Sequence, residues 1–234
     1  MKRLFATIRC DVRLQFRNGF YYAIAFILVV WVVLISQLPE IDWGWLLPVL
    51  VLGNLSMATF YFMGGLVLLE KGEGTLEAQI VTPLTSREYL ISKVITLTVL
   101  SVIENLVIVA VAYRQGFGVL TLIAGIVLAA AFYSLVGFVV VARYDSINEY
   151  LFPSILYITV FSLPFLHYFH LWESWLMYLH PLQASLVIMK AAFEPIEPWK
   201  WVYGLLYSTF WIGLIFFWSQ RTFHRFIIAK EGVR

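Results

Sequence analysis

The sequence predicts an all-α integral membrane protein with six transmembrane helices. Of the 234 residues, 62% are hydrophobic and only 13% are charged, whereas a typical soluble domain carries about 25% charged residues. The mean hydropathy is +0.85. A hydrocarbon core about 30 Å thick takes about 20 apolar residues to cross as a helix. Six runs satisfy that length within a single transmembrane domain, 1–234: 20–38, 45–69, 89–113, 119–142, 151–171 and 201–219.

The N-terminal arm, residues 1–19, predicts an amphipathic helix that precedes the first span. Apolar residues recur every four positions, and arginines flank this stripe of Leu4, Ile8, Val12 and Phe16. Such a helix lies in the membrane interface with its apolar face inward. The Asn18-Gly19 pair then permits a sharp turn into the first span.

Lysine and arginine are distributed unevenly across the six spans. Thirteen of them flank the side that carries both termini, and the other side has Arg114, Lys190 and Lys200. Because cytosolic borders are enriched in these residues, we expect a multi-pass protein of the cell membrane with both termini cytosolic. The cations border the lipid bilayer rather than form a soluble basic patch, so no nucleic-acid partner is expected.

Residues 70–88 form a charged segment between the second and third spans. Gly72 and Gly74 predict a flexible turn, and 75–81 can form a short helix with Leu76 and Ile80 on one face. The residue before a proline leaves the α region, so Thr82-Pro83 should end this helix.

The next residues carry a helix-start signal. Thr85 is followed three positions later by Glu88, which is the pattern of a capping box. We therefore expect the third span to begin near Ser86. A solvated loop is the alternative interpretation of the whole charged segment.

Small, polar and aromatic residues of three spans suggest a substrate path. These residues are Phe26, Trp31, Asn54, Thr59, Phe60, Tyr61, Tyr157 and Phe161. Close helix packing and lipid contact explain the same residue types.

Glu104 is the acidic residue inside the third span. An acid at that depth is costly and often functional, so it is a candidate proton site or a contact for a cationic substrate. The alternative is a glutamate that packs against another helix.

Pro164 should break the fifth span near its outer end, and residues 171–189 can form one or two short external helices.

The same external segment contains candidate metal ligands. Their spacing could bring His167, His170, Glu173 and His180 together. Histidine is also common at membrane interfaces, and we expect no metal site here.

The chain lacks the nucleotide-binding GxxxxGK[ST] pattern and the hydrolase patterns GxSxG and HExxH. It is therefore expected to be a transport subunit rather than an enzyme, and to hold no cofactor of its own.

Three motifs of the charged segment resemble those of type-2 ABC exporter permeases. They are EKGEGTLE at 70–77, VTPLT at 81–85 and EYLISK at 88–93. The six spans, the interfacial helix and the short external helices agree with this resemblance, and His180-Pro181-Leu182 stands where the family often has Asn-Pro-Leu. The small size and the lack of a fused ATPase resemble the drug and fluoroquinolone export permeases.

The resemblance implies a dimer of permease copies, identical or closely homologous, each resting on a separate ATPase subunit that uses ATP and Mg. The short helix within 75–81 would act as a coupling helix that carries the ATPase motion to the second and third spans. The residues assigned to this contact are Glu70, Glu73, Thr75, Leu76, Glu77, Ile80, Pro83 and Arg87. The substrate would be hydrophobic or amphipathic, and it would move outward along the dimer interface.

Two other functions are compatible with the residues. One is an intramembrane enzyme or metal-handling protein that uses Glu104 or the His167, His170 and His180 cluster. The other is an ATPase-independent secondary transporter, although the sequence shows no inverted repeat of the kind that many such folds contain.

Overall fold

The computed structural model describes residues 2–37, 43–76 and 84–228 of the chain. These residues are almost entirely helical, which confirms the predicted all-α class. The helices are α1 (Lys2–Arg17), α2 (Phe20–Gln37), α3 (Leu47–Gly72), α4 (Ser86–Ala112), α5 (Val119–Val141), α6 (Ile147–Phe161), α7 (Leu163–Tyr168), α8 (Pro181–Lys190) and α9 (Pro198–Phe223). Short 3₁₀ turns lie at Trp43–Trp45 and Trp175–Leu179, and α9 continues as a π-helical turn at His224–Ile228.

Six helical segments in the described part of the chain are long and apolar enough to cross a membrane. They are α2, α3, α4, α5, the α6–α7 pair and α9. The pair is interrupted where the sequence predicted a break, because Ser162 ends α6 and Pro164 occupies the first turn of α7, where its missing N–H is harmless. The sixth span is longer than predicted, since α9 begins at Pro198 and ends at Phe223.

Gly19 forms the turn between α1 and α2. Its φ of 82° lies in the left-handed region that glycine adopts without a steric penalty. This conformation confirms the turn that Asn18-Gly19 predicted, and it directs α2 away from α1.

Helix α5 lies at the centre of the bundle and packs on α3, α4, α8 and α9. Its Gly137 contacts the π-helical stretch Ser56–Tyr61 of α3, where a Cβ at position 137 would lie 2.7 Å from the Phe60 carbonyl oxygen. Small residues of this kind let membrane helices approach closely. Helices α3 and α5 are therefore tightly packed at this contact.

Helix α8 is buried between α5 and α9 rather than lying on the surface. Leu182, Leu186 and Met189 have almost no exposed surface. Met189 contacts Gly125 of α5, and Ile188 contacts Gly204 of α9. This short helix between the fifth and sixth spans is thus part of the core.

His180 caps the N-terminus of α8 in the way an asparagine would. Its Nδ1 accepts a hydrogen bond from the Leu182 N–H at 3.3 Å, and its Nε2 donates to the Val160 carbonyl oxygen at 3.2 Å. Burial lowers the pKa of His180 to about 4, since the charged imidazolium is poorly solvated there. The imidazole therefore acts as a neutral cap.

Candidate functional site at the charged end of the bundle

A buried cluster of charges joins three helices at one end of the bundle. The Lys93 ammonium of α4 donates to Asp11 Oδ1 of α1 at 3.0 Å and to Glu70 Oε1 of α3 at 2.6 Å. Tyr89 donates its hydroxyl to Glu70 Oε2 at 2.6 Å, and Ser92 donates to the Asp11 carboxylate. Each carboxylate therefore has the lysine and an additional hydrogen bond, and the lysine has two carboxylates, which is the condition for burying ions without a large penalty.

Helix α1 makes its most buried contacts with the bundle through polar side chains, and the half-buried Leu14 packs on the core beside them. Asp11 and Gln15, one helical turn apart, are its buried residues, and Gln15 Nε2 donates to the Thr96 hydroxyl at 2.8 Å. Val12 and Phe16 remain exposed, so the predicted apolar stripe is free to face lipid. Asp11 was not among the predicted site residues. It is the acidic residue of a helix whose other charged residues are basic, and this pattern could have indicated a buried cationic partner.

Charged residues at the first flank of the α3–α4 loop, residues 73–85, contact neighbouring helices. Lys71 donates to the carbonyl oxygens of Ala142 and Tyr144 at 3.0 and 2.7 Å, where a cation also complements the C-terminal end of the α5 dipole. Glu73 pairs with Arg17 of α1 at 2.6 Å.

The second flank of the loop is fixed by the helix start of α4. Thr85 Oγ1 accepts from the Glu88 N–H at 3.2 Å, and Glu88 Oε2 accepts from the Thr85 N–H at 3.0 Å. This reciprocal pair confirms the predicted capping box, and α4 begins at Ser86 as expected. Arg87 donates to Gln220 Oε1 of α9 at 3.0 Å.

The structure places the residues assigned to the ATPase contact in three environments. Glu70 is completely buried and Leu76 is 2% exposed, so neither side chain lies on the surface. Glu73 and Arg87 are exposed, and Thr75 is half-buried. Helical backbone resumes at Thr75 and Leu76, while Glu77, Ile80 and Pro83 lie outside the described residues.

Glu70 and Leu76 were interpreted as direct contacts for a partner, and their burial corrects that interpretation. Glu70 supports the site from inside, because its two carboxylate oxygens hold Lys93 and Tyr89. Leu76 packs in the apolar core. Both side chains fix the base of the loop rather than its outer face.

The residues of the predicted substrate path do not come together on one surface. Asn54, Thr59 and Phe60 are buried inside the bundle, whereas Phe26 and Tyr157 lie on its outside. Trp31, Tyr61 and Phe161 are half-buried between these two sets. Within one chain, the eight residues therefore form no continuous path.

Glu104 is 1% exposed and faces the interior of the bundle. The Asn54 side chain lies beside it, and Asn54 donates to Asn105 Oδ1 at 3.2 Å. Among the residues that the structure describes, neither Glu104 oxygen has a hydrogen-bond partner. Glu104 therefore lies beside polar side chains in the interior of the bundle, and its role as a proton site, a substrate contact or a packed glutamate stays a prediction.

The four candidate metal ligands of the external segment are dispersed. His170 Nδ1 contacts Glu173 Oε1, while His180 caps α8 and His167 packs on the Tyr178 ring. No group of three potential ligands is assembled within residues 2–37, 43–76 and 84–228.

The fold and the site define a multi-pass membrane protein in which paired charges hold both flanks of the α3–α4 loop at one end of the bundle. The sequence pattern of the fluoroquinolones export permease protein family matches residues 2–231, so the chain belongs to that family. It is 29% identical over 236 aligned positions to the fluoroquinolones export permease protein of Mycobacterium tuberculosis, strain CDC 1551 / Oshkosh, with all of both chains covered. The same identity and coverage hold for the protein of that name from strain H37Rv. The chain is therefore a membrane export permease and a transport protein rather than an enzyme.

Proposed function

We propose that this permease is the membrane-spanning subunit of an ATP-driven exporter and that a separate ABC ATPase subunit binds ATP and Mg. The three motifs of the charged segment support the assignment. The observation that carries it is the buried Asp11–Lys93–Glu70 cluster, which fixes both flanks of the α3–α4 loop to α1.

The cluster explains how a movement of the α3–α4 loop would be transmitted to the membrane-spanning helices. Lys93 bonds to residues of both α1 and α3, so a displacement of α4 carries these two helices with it. Lys71 extends the connection to the end of α5, and Arg87 extends it to α9. Closure of the ATPase against the exposed face of the loop would then tilt a connected set of helices instead of deforming a flexible segment.

A second copy of the permease would complete the path. Helices α2 and α6 present apolar side chains to the outside of the bundle, among them Phe26, Phe152 and Leu156. A dimer that pairs these faces would place Phe26 and Tyr157 along a shared surface between the copies. The buried residues assigned to the path, such as Thr59 of α3, would then stabilise the packing of the helices that support this surface.

The proposed substrate is amphipathic and aromatic, and a fluoroquinolone is the first compound to test because the relatives are named for its export. The excess of lysine and arginine on the side of the termini supports a cytosolic position for both of them. Under that orientation in the cell membrane, the α3–α4 loop faces the cytosol and transport is outward.

The coupling assignment can be tested with aspartate substitutions at two loops on the same end of the bundle. Ile80→Asp places a charge on the predicted apolar face of the coupling helix. Ile147→Asp makes the same change at an exposed position at the start of α6, beside the α5–α6 loop, and is the matched control. Each variant is co-expressed with the ATPase, and copurification and fluoroquinolone-stimulated ATP hydrolysis are measured.

We expect Ile80→Asp to lose the ATPase and the stimulation, while Ile147→Asp keeps both. Equal activity of the two variants, or equal loss, would contradict a specific role for the α3–α4 loop.

The dimer can be tested by cysteine crosslinking, because the chain has one cysteine, Cys10. In a Cys10→Ser background, Phe152→Cys on α6 should crosslink to its equivalent in a second copy. Leu206→Cys on α9 is similarly exposed and should not. Crosslinking of both positions to the same extent would indicate random collision in the membrane.

A further inference from the structure

An open cavity of about 790 Å³ lies between the ends of α5 and α9, and none of the residues assigned to the ATPase contact or the substrate path lines it. Arg143 follows α5, Arg221 lies in the last turn of α9, and Arg225 lies in the π-helical turn beyond it. All three arginines line this cavity. They come from two separate parts of the chain, so the fold itself concentrates the positive charge.

The three guanidinium groups have no carboxylate partner among the described residues. The ion pairs in that part of the chain involve Arg17, Lys71, Lys93, His170, Lys190 and Lys200 as the cations. The arginines contact aromatic rings instead. Arg143 and Arg225 lie 5.8 and 5.3 Å from the centre of the Phe226 ring, and Arg221 lies 4.4 Å from that of Phe217.

The α9 side of the cavity becomes apolar toward the middle of the helix. Leu214, Phe217 and Trp218 line it, and all three are exposed on the surface of the helix. From Leu214 to Arg225 the helix rises about 16 Å. The cavity therefore has a cationic rim at the end of the span and an apolar groove that extends toward the membrane interior.

We propose that this cavity is a binding site for an anionic phospholipid, such as phosphatidylglycerol, on the side of the membrane that carries both termini. The phosphate would accept hydrogen bonds from the three guanidinium groups, which suit phosphate oxygens in paired geometry. The glycerol and upper acyl chains would cover Leu214, Phe217 and Trp218. A free phosphate ion satisfies the arginines but leaves this apolar wall uncovered, so the lipid is the better match.

Two double variants distinguish specific lipid binding in the cavity from the general attraction of surface arginines to anionic lipid. Arg221→Gln with Arg225→Gln removes two charges from the cavity. Arg9→Gln with Arg13→Gln removes two charges from exposed positions of α1 at the same end of the bundle. The purified proteins are titrated with phosphatidylglycerol, with phosphatidylcholine and with inorganic phosphate. Bound lipid is counted by native mass spectrometry, and the melting temperature is followed in parallel.

We expect phosphatidylglycerol to bind and to raise the melting temperature of the wild type and of the Arg9/Arg13 variant. Binding to the Arg221/Arg225 variant should be weaker by about 30-fold, since each basic residue near a membrane contributes about 1 kcal/mol.

Equal weakening in the two double variants would overturn the site in favour of a diffuse charge effect. A melting-temperature rise of the same size with inorganic phosphate alone would overturn the lipid as its ligand. Unchanged unliganded melting temperatures show that each variant is folded, and Arg143→Gln replaces the Arg221/Arg225 variant if the latter fails this check.

Discussion

Lys93 and Glu70 form a salt bridge of 2.6 Å in which neither side chain has any exposed surface. The two residues are 23 positions apart and stand on opposite flanks of the α3–α4 loop. The bridge joins the two flanks at the base of the loop, and Asp11 extends it to α1. The base of the loop is therefore fixed, which is what the proposed transmission of force requires.

Removal of the cluster's cation should be strongly destabilising. Lys93→Met leaves two buried carboxylates without a counter-charge, and we expect a loss of about 3–5 kcal/mol. Adding Glu70→Gln and Asp11→Asn, which removes all charge from the cluster, should recover much of this loss. Thermal unfolding in nanodiscs measures both effects. Wild-type stability of the single variant would mean that the cluster is hydrated rather than buried.

The contact between α5 and the π-helical stretch of α3 should tolerate no side chain at position 137. Gly137→Ala places a methyl group 2.7 Å from the Phe60 carbonyl oxygen, and backbone shifts of this kind cost about 1–3 kcal/mol. Gly213→Ala on α9 is the control, because no atom lies within 4 Å of its added Cβ. The melting temperature should fall for the first variant and stay constant or rise for the second.

The turn at the start of the α3–α4 loop should depend on its second glycine. Gly74 has a φ of 67°, and a Cβ in that conformation costs roughly 1–2 kcal/mol. We therefore expect Gly74→Ala to reduce transport-linked ATP hydrolysis by changing the direction of the loop. Gly72→Ala should have little effect, because residue 72 is helical and its Cβ meets no atom. Reduced activity of both variants to the same degree would argue for general loop flexibility.

The His180 cap should make stability depend on pH in a defined window. Its pKa is about 4 in the folded protein and about 6.5 in an unfolded chain. Between these values the unfolded state binds more protons, so the stabilisation is complete above pH 6.5 and is lost as the pH falls toward 4. His180→Asn keeps a capping acceptor but does not titrate. Its melting temperature should therefore decline less than that of the wild type between pH 6.5 and 4, and parallel curves would contradict this origin.

The elements that the sequence predicted correctly depend on neighbours close in the chain. The apolar runs located the six crossing segments, Gly19 located the first turn, and Thr85 with Glu88 located the start of α4. Each of these signals is decided within one or two helical turns, so residue type and spacing are sufficient. The motifs of residues 70–93 also sufficed to indicate the protein family.

The tertiary structure alone decided what the charges of that segment do. Asp11 and Lys93 are 82 positions apart, and no local pattern states that an acid of the N-terminal helix pairs with a lysine at the start of the third span. The burial of Glu70 and Leu76 likewise depends on which helices surround them. The sequence by itself determined that a charged loop stands at one end of a six-helix bundle. Only the packing of α1, α3 and α4 decided that its ions are buried, because the free energy of a charge depends on the dielectric and the partners around it.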